Sequence, residues 1–235
     1  MIDIADNRLP VDGSMLPDVG QLAQHFIDAF PVMSIAEQRL ALKLYRLLSE
    51  GDAVSLEHLS ERVDMLLTEV ETMLKSWPGV FYDNNHRITG FWGLTIDETQ
   101  HRFEINGKTV YTWCAWDTLF IPELLNISAH ITSNCALSGD EISLTVSPEG
   151  IESSQTHRVM VSFLVPDEVE LKENITTSFC HHVFFLRTPE TGKRWVASHP
   201  GTFLLSLDEA FSIGKKMNSA RYDLVQLNRI FFSAP

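Results

Sequence analysis

The sequence predicts an α+β protein: an N-terminal winged-helix-like three-helix unit, then a mixed, largely antiparallel β-sheet domain with flanking helices. Three observations carry that expectation. Apolar residues recur at helical spacing in three early segments, a hairpin pattern follows them, and from about residue 100 the period shortens to that of strands. The later connections are too short for repeated helical crossovers, which favours antiparallel pairing. The boundary falls near residue 98, giving units of 1–98 and 99–235.

The first helix is expected in "SIAEQRLALKLYRLLSEGD", where Ile35, Leu40, Leu42, Leu44, Leu47 and Leu48 are spaced for one face. Ser34 and Glu37 form a capping box at its start and Gly51 ends it. Nothing before Ser34 is assigned an element. "SLEHLSERV" and "LLTEVETMLKSW" read as two shorter helices, and "GVFYDNNHRITGFWGLTI" as strand, turn at Asp83-Asn84-Asn85, and strand. Beyond residue 100, "RFEIN" and "KTVYTW" are strands joined at Gly107, and "HITSNCALSGDEISLTVSPEG" is a strand pair around Ser138-Gly139-Asp140. "RVMVSFLVP" and "TTSFCHHVFFLRT" are two further strands. "SLDEAFSIGKKMNSARY" carries a capping box in Ser206 and Glu209 and an apolar stripe in Leu207, Ala210, Phe211 and Ile213, so it is expected to be a helix.

Composition narrows the possible functions. With 235 residues, 44% of them hydrophobic and 21% charged, the chain can bury one good core or a small domain beside a larger one. Its start, "MIDIADNRLPVDGSMLPD", has neither a basic n-region nor an apolar h-region, and no stretch approaches the ~20 apolar residues that span a bilayer. A cytoplasmic protein with no membrane partner is expected. The formal charge of -13 repels nucleic acid. A winged helix-turn-helix layout raises the question of DNA binding, but the candidate recognition helix holds Glu69, Glu71 and only Lys75, so no nucleic-acid partner is expected. Three cysteines, Cys114, Cys135 and Cys180, cannot all pair, and a reducing compartment leaves them as thiols.

The stretch "YTWCAWDTLFIPELL" sets a thiol three residues before a carboxyl group among aromatic side chains. If Cys114 begins a helical turn, Cys114 and Asp117 stand on one face, where both could reach one ligand. A helix N-terminus would lower the thiol pKa. Trp113, Trp116 and Phe120 would take water from around Asp117 and raise its pKa, as a neighbouring thiolate would too. Such a carboxyl group can hold and deliver a proton near neutrality. The pair by itself fits equally a buried cysteine beside a capping aspartate.

The wider sequence separates these readings. "HRITGFWGLTIDETQHRFEINGKTVYTWCAWDTLFIPELL", followed by "SNCALSGDEISLTVSPEG", "TTSFCHHVFF" and "SLDEAFSIGKKMN", closely resembles the bacterial alkylmercury lyases, the organomercurial lyases of mercury-resistance operons. The resemblance runs from about residue 35 to 220, with "WCAWDTL" its most specific piece and "SFCHHVFF" the next. It implies that 99–235 is the catalytic domain, that Cys114 and Cys180 are the catalytic thiols, and that Asp117 is the catalytic acid and base. Cys135 matches a cysteine regarded as structural in the family. His181 stands where many relatives have a further cysteine, so the resemblance carries no auxiliary thiol here.

The implied reaction is protonolysis of R-Hg-X to RH and mercury(II). Mercury is soft and takes thiolates first. Cys114, Cys180 and Asp117 would contact it as substrate and product, within a pocket walled by Trp113, Trp116, Phe120 and Phe179, residues whose plainer role is core packing. No cofactor is implied. The implied partners are the organomercurial, low-molecular-weight thiols that extract mercury(II), and a mercuric reductase that accepts it. Two rival readings remain at this level. One is a metal-binding or metal-sensing protein of the resistance system without lyase activity; the other is a resident metal held by Cys114, Cys180 and His182, the last two sharing one face of a strand.

Overall fold

The computed structural model describes residues 18–152, 158–165, 174–225 and 227. Before the first expected helix it has another, α1 (Val19–Ala29), opened by a reciprocal capping box between Asp18 and Gln21. Then follow α2 (Ile35–Leu48), α3 (Leu56–Val63) and α4 (Leu67–Ser76), the three helices of the sequence reading. Ser34 caps α2 and its box with Glu37 forms as expected.

Eight strands make one sheet in the order β1-β2-β3-β5-β4-β6-β7-β8. They are β1 (Val80–Tyr82), β2 (Ile88–Phe91), β3 (Leu94–Thr95), β4 (His101–Ile105), β5 (Lys108–Thr112), β6 (Ala129–Asn134), β7 (Glu141–Val146) and β8 (Ile151–Glu152). A second sheet has the order β10-β9-β11, from β9 (Met160–Leu164), β10 (Phe185–Leu186) and β11 (Thr202–Ser206). Every pairing among the described strands is antiparallel, in keeping with the largely antiparallel sheet expected. Short connections such as Asn106-Gly107, both at positive φ, leave no room for a crossover. The first sheet runs from the wing hairpin into the later strands without a break.

Among the described residues three longer helices follow, α5 (Asp117–Leu125), α6 (Pro189–Ser198) and α7 (Leu207–Arg221), besides a helical stretch at 174–178. In α5 every residue but Glu123 is buried, as befits a helix packed on all sides. It rests on α7, where Gly214 allows the approach: a Cβ there would lie 2.6 Å from that of Phe120. Asn218 Nδ2 donates to the Phe120 carbonyl at 3.0 Å and Trp116 Nε1 to that of Ala210 at 2.9 Å, so α7 fixes both ends of the segment that bears Asp117.

Two expected strands differ. "HRITGFWGL" is broken after β2 by a tight turn at Trp92 (φ 35°) and Gly93 (φ 100°). "TTSFCHHVFFLRT" is extended only in β10. Residues 174–178 are helical and Cys180–His182 form a 3-10 turn. Asn174 supports the helical stretch: its Oδ1 accepts from the Thr177 N–H (3.2 Å) and the Thr176 hydroxyl (2.6 Å), local bonds that compete with the strand preference of the threonines.

Candidate active site

Cys114 follows β5 and precedes α5. Its N–H donates to Asp117 Oδ2 at 2.9 Å, so the carboxyl group reaches back across the turn that opens the helix. Cys114 is therefore ahead of α5 rather than in its first turn, although the i, i+3 spacing does bring the two side chains together. The Thr112 hydroxyl steadies this turn by donating to the Cys114 carbonyl at 3.0 Å.

Cys180 arrives from far along the chain on its 3-10 turn, and two sets of bonds hold it in place. The Ala115 N–H donates to the Val183 carbonyl at 3.1 Å, joining the two cysteine-bearing segments directly. Ser162 of β9 donates its hydroxyl to the His182 carbonyl (2.7 Å) and accepts from the Phe184 N–H (2.9 Å). As a result Cys114 Sγ, Cys180 Sγ and an Asp117 carboxylate oxygen all lie within 4.8 Å of one another. All three residues are buried, at 0%, 3% and 5% exposure.

Burial dominates the electrostatics. It pushes the Asp117 carboxyl up to about 7, against hydrogen bonds from the Cys114 thiol and backbone that favour the ionised form. The same desolvation, with the hydrogen bond to Cys180 and the Asp117 charge, drives the Cys114 thiol well above its ordinary range. This corrects the expectation of a lowered thiol: Cys114 sits outside the helix and away from water, so desolvation outweighs any dipole. At Cys180 the hydrogen bond from Cys114 favours the thiolate, yet burial and the Asp117 charge together still raise it. The resting site is thus two thiols beside a carboxyl group poised at neutrality.

Gly93 is what lets Asp117 fit. Its φ of 100° is unfavourable for other residues, and a Cβ there would lie 2.5 Å from both Cγ and Oδ1 of Asp117. The Trp113 N–H anchors the turn by donating to the Gly93 carbonyl at 2.9 Å.

A cavity of about 20 Å³ opens beside these groups. Trp113, Trp116, Phe120 and Phe179 all line it, together with Phe26, Trp92 and Arg221, which the sequence reading did not single out. Phe26 packs on Trp116 (ring centroids 4.5 Å apart) and Phe179 (5.0 Å), so α1, α5 and the Cys180 segment share one aromatic cluster. The Asp18–Gln21 capping box and the apolar spacing of Leu22, Ala23, Phe26 and Ala29 are the signals that mark α1, and nothing local marks Arg221. Among the described residues no histidine joins the cluster: His181 is exposed, and in the 3-10 turn Cys180 and His182 do not share a strand face. Cys135 lies apart, its Sγ accepting from the Arg187 N–H at 3.3 Å. No described helix is long and apolar enough to cross a membrane.

Comparison with known proteins agrees with this geometry. The family model for MerB, alkylmercury lyase, matches residues 94–219, which contain all three clustered side chains. An alkylmercury lyase of Streptomyces lividans is 37% identical over 202 residues, covering 85% of this chain and 92% of its own. One from Pseudomonas putida is 40% identical over 175 residues, 74% and 81% of the two chains. In backbone, the chain resembles the crystal structure of the mercury-bound form of MerB2 (TM-score 0.68, 19% identity, 86% of this chain and 98% of that one), a likeness of fold. On the matched domain and the extent of the sequence identity, this chain belongs to the alkylmercury lyase family.

Proposed function

We propose that this protein is an organomercurial lyase that cleaves carbon–mercury bonds by protonolysis, with Cys114, Cys180 and Asp117 as its reacting groups. The observation that carries this reading is the convergence of two thiols and one carboxyl group, from distant parts of the chain, within 4.8 Å in a buried, aromatic-lined site. Family membership supports it independently.

One thiol displaces X from R-Hg-X, forming a mercury–sulfur bond and releasing HX. The other loses its proton to Asp117 and adds as a second thiolate. Cys114 is the thiol whose proton Asp117 takes, since the Cys114 N–H holds the carboxyl group at 2.9 Å and the sulfur lies within 4.8 Å of a carboxylate oxygen. The second thiolate pushes electron density through mercury onto carbon. Protonated Asp117 then delivers its proton there, so RH departs and mercury(II) remains between two sulfurs. A pKa of about 7 suits a group that must both accept and return the proton. Holding the three groups together can supply up to about 7 to 11 kcal/mol of the barrier.

In this reading Trp113, Trp116, Phe120 and Phe179 enclose the organic group and keep water from the weakly basic carbon. The 1–98 unit serves as support and cover, with 99–235 as the catalytic domain. Low-molecular-weight thiols extract the product, a mercuric reductase receives it in the cytoplasm, and no cofactor takes part. Benzene release from phenylmercury in excess thiol tests the proposal. Wild-type protein is expected to turn over; Cys114→Ser and Cys180→Ser are each expected to lose at least about 10³-fold. Stoichiometric mercury binding without benzene would instead favour a binding or sensing protein.

A further inference from the structure

Arg221 is the one charged side chain lining the cavity that the chemistry above leaves unused. It ends α7, is 8% exposed, and its Nε and Nη2 have no hydrogen-bond partner among the described residues. No described carboxylate pairs with it. Its guanidinium carbon lies 4.3 Å from the Phe30 ring centroid and 4.1 Å from that of Trp92. Aromatic faces replace only part of a lost hydration shell, and an unpaired buried cation is otherwise rare. Beside it the Tyr222 hydroxyl is also buried and without a partner, whereas that of Tyr45 is committed to the Trp92 carbonyl at 2.8 Å. Two free donors, one of them charged, thus face the cavity that holds Asp117 and Cys180.

We propose that Arg221 and the Tyr222 hydroxyl form a carboxylate-accepting end of the substrate cavity, making the protein selective for organomercurials presented with a carboxylate. The guanidinium fork matches a carboxylate in a way no neutral substituent can, and the burial that leaves Arg221 unpaired strengthens that contact. The carboxylate can come from the organic group or from the thiol that carries the mercury. The inference rests on the lyase reading.

Two arms of one assay separate the sources. In the first, kcat/KM is compared for 4-carboxyphenylmercury and phenylmercury, both with neutral 2-mercaptoethanol. In the second, phenylmercury is presented on mercaptoacetate or on 2-mercaptoethanol. At least one arm is expected to favour the carboxylate by about tenfold or more in wild-type protein. Arg221→Met should bring that ratio close to one, and Arg221→Lys should retain part of it. Ratios near one in both wild-type arms would overturn the proposal, as would a preference that survives in a folded Arg221→Met protein. Should that variant not fold, inhibition of wild-type phenylmercury turnover decides: benzoate is expected to inhibit about tenfold more strongly than benzamide, and equal inhibition would overturn the subsite. Hydrocarbon from neither substrate would sink the lyase reading and the subsite with it, whereas turnover without selectivity sinks the subsite alone.

Discussion

The helical N-terminal edge and the corner holding the two thiols follow opposite rules. Along α2 and α3, Ser34 and Ser55 cap the starts, Glu37 and Glu57 sit in first turns, and Arg46 and Arg62 sit in last turns. At the thiol corner Trp92 has positive φ, α5 starts without a side-chain cap and contains Pro122, a carboxyl group is buried, and two guanidinium nitrogens of Arg221 have no hydrogen-bond partner among the described residues. Each irregularity carries a stability penalty that the surrounding fold must offset. All of the cavity-lining irregularities point toward one small volume. Departures from local convention thus gather around the proposed site, while the helical edge keeps to the rules.

Asp117→Asn breaks the contrast most directly. It should reduce hydrocarbon release by about 10²- to 10⁴-fold while leaving mercury capture measurable. In wild-type protein kcat/KM should fall as pH drops below about 7, because the carboxyl group must be ionised to receive the thiol proton; a flat profile to pH 5 would contradict the assigned role.

The same substitution should act on stability in the opposite direction. Between about 4 and 7 the folded protein retains a proton on Asp117 that the unfolded chain has released, so wild-type stability declines as pH rises through that window. Asp117→Asn removes that slope, and above pH 7 it should be the more stable protein by up to about 4 kcal/mol. Denaturant titrations of both at pH 4.5 and 8 check this.

Gly93→Ala strains the thiol corner while leaving Cys114, Asp117 and Cys180 themselves unchanged. A methyl group 2.5 Å from the Asp117 carboxyl carbon, at a φ of 100°, must displace the carboxyl group or the turn. Activity should drop about 10²-fold and stability by about 1 to 3 kcal/mol. Ser34→Ala probes the other region. Loss of the α2 cap should lower stability by about 1 kcal/mol, with hydrocarbon release from the folded protein unchanged.

The same division governs how much the sequence discloses. Helices α2, α3, α4 and α7 and the β4–β5 and β6–β7 pairs are legible because capping boxes, apolar stripes and glycine turns are local signals. The contact of Cys114 with Asp117 is likewise encoded three residues apart. Cys180 is not: its place depends on Ser162, Val183 and Ala115 meeting across the fold, and only family resemblance pointed to it. The turn that carries it reads as a strand in sequence because β-branched residues outweigh the local bonds of Asn174. Helix α6 has no clear sequence signal because Gly192 interrupts its pattern; a Cβ there would lie 2.7 Å from Leu204 Cδ1, so a larger residue requires that side chain to shift. Nothing near Gly93 or Arg221 in sequence announces what each touches.

The cavity beside the thiols, at about 20 Å³, has room for about one water molecule and none for a phenyl ring. The resting protein is therefore shut against the molecules it is proposed to process, and some packed element must swing aside before sulfur can meet mercury. That opening sets an upper limit on turnover, and the limit tightens as the organic group grows.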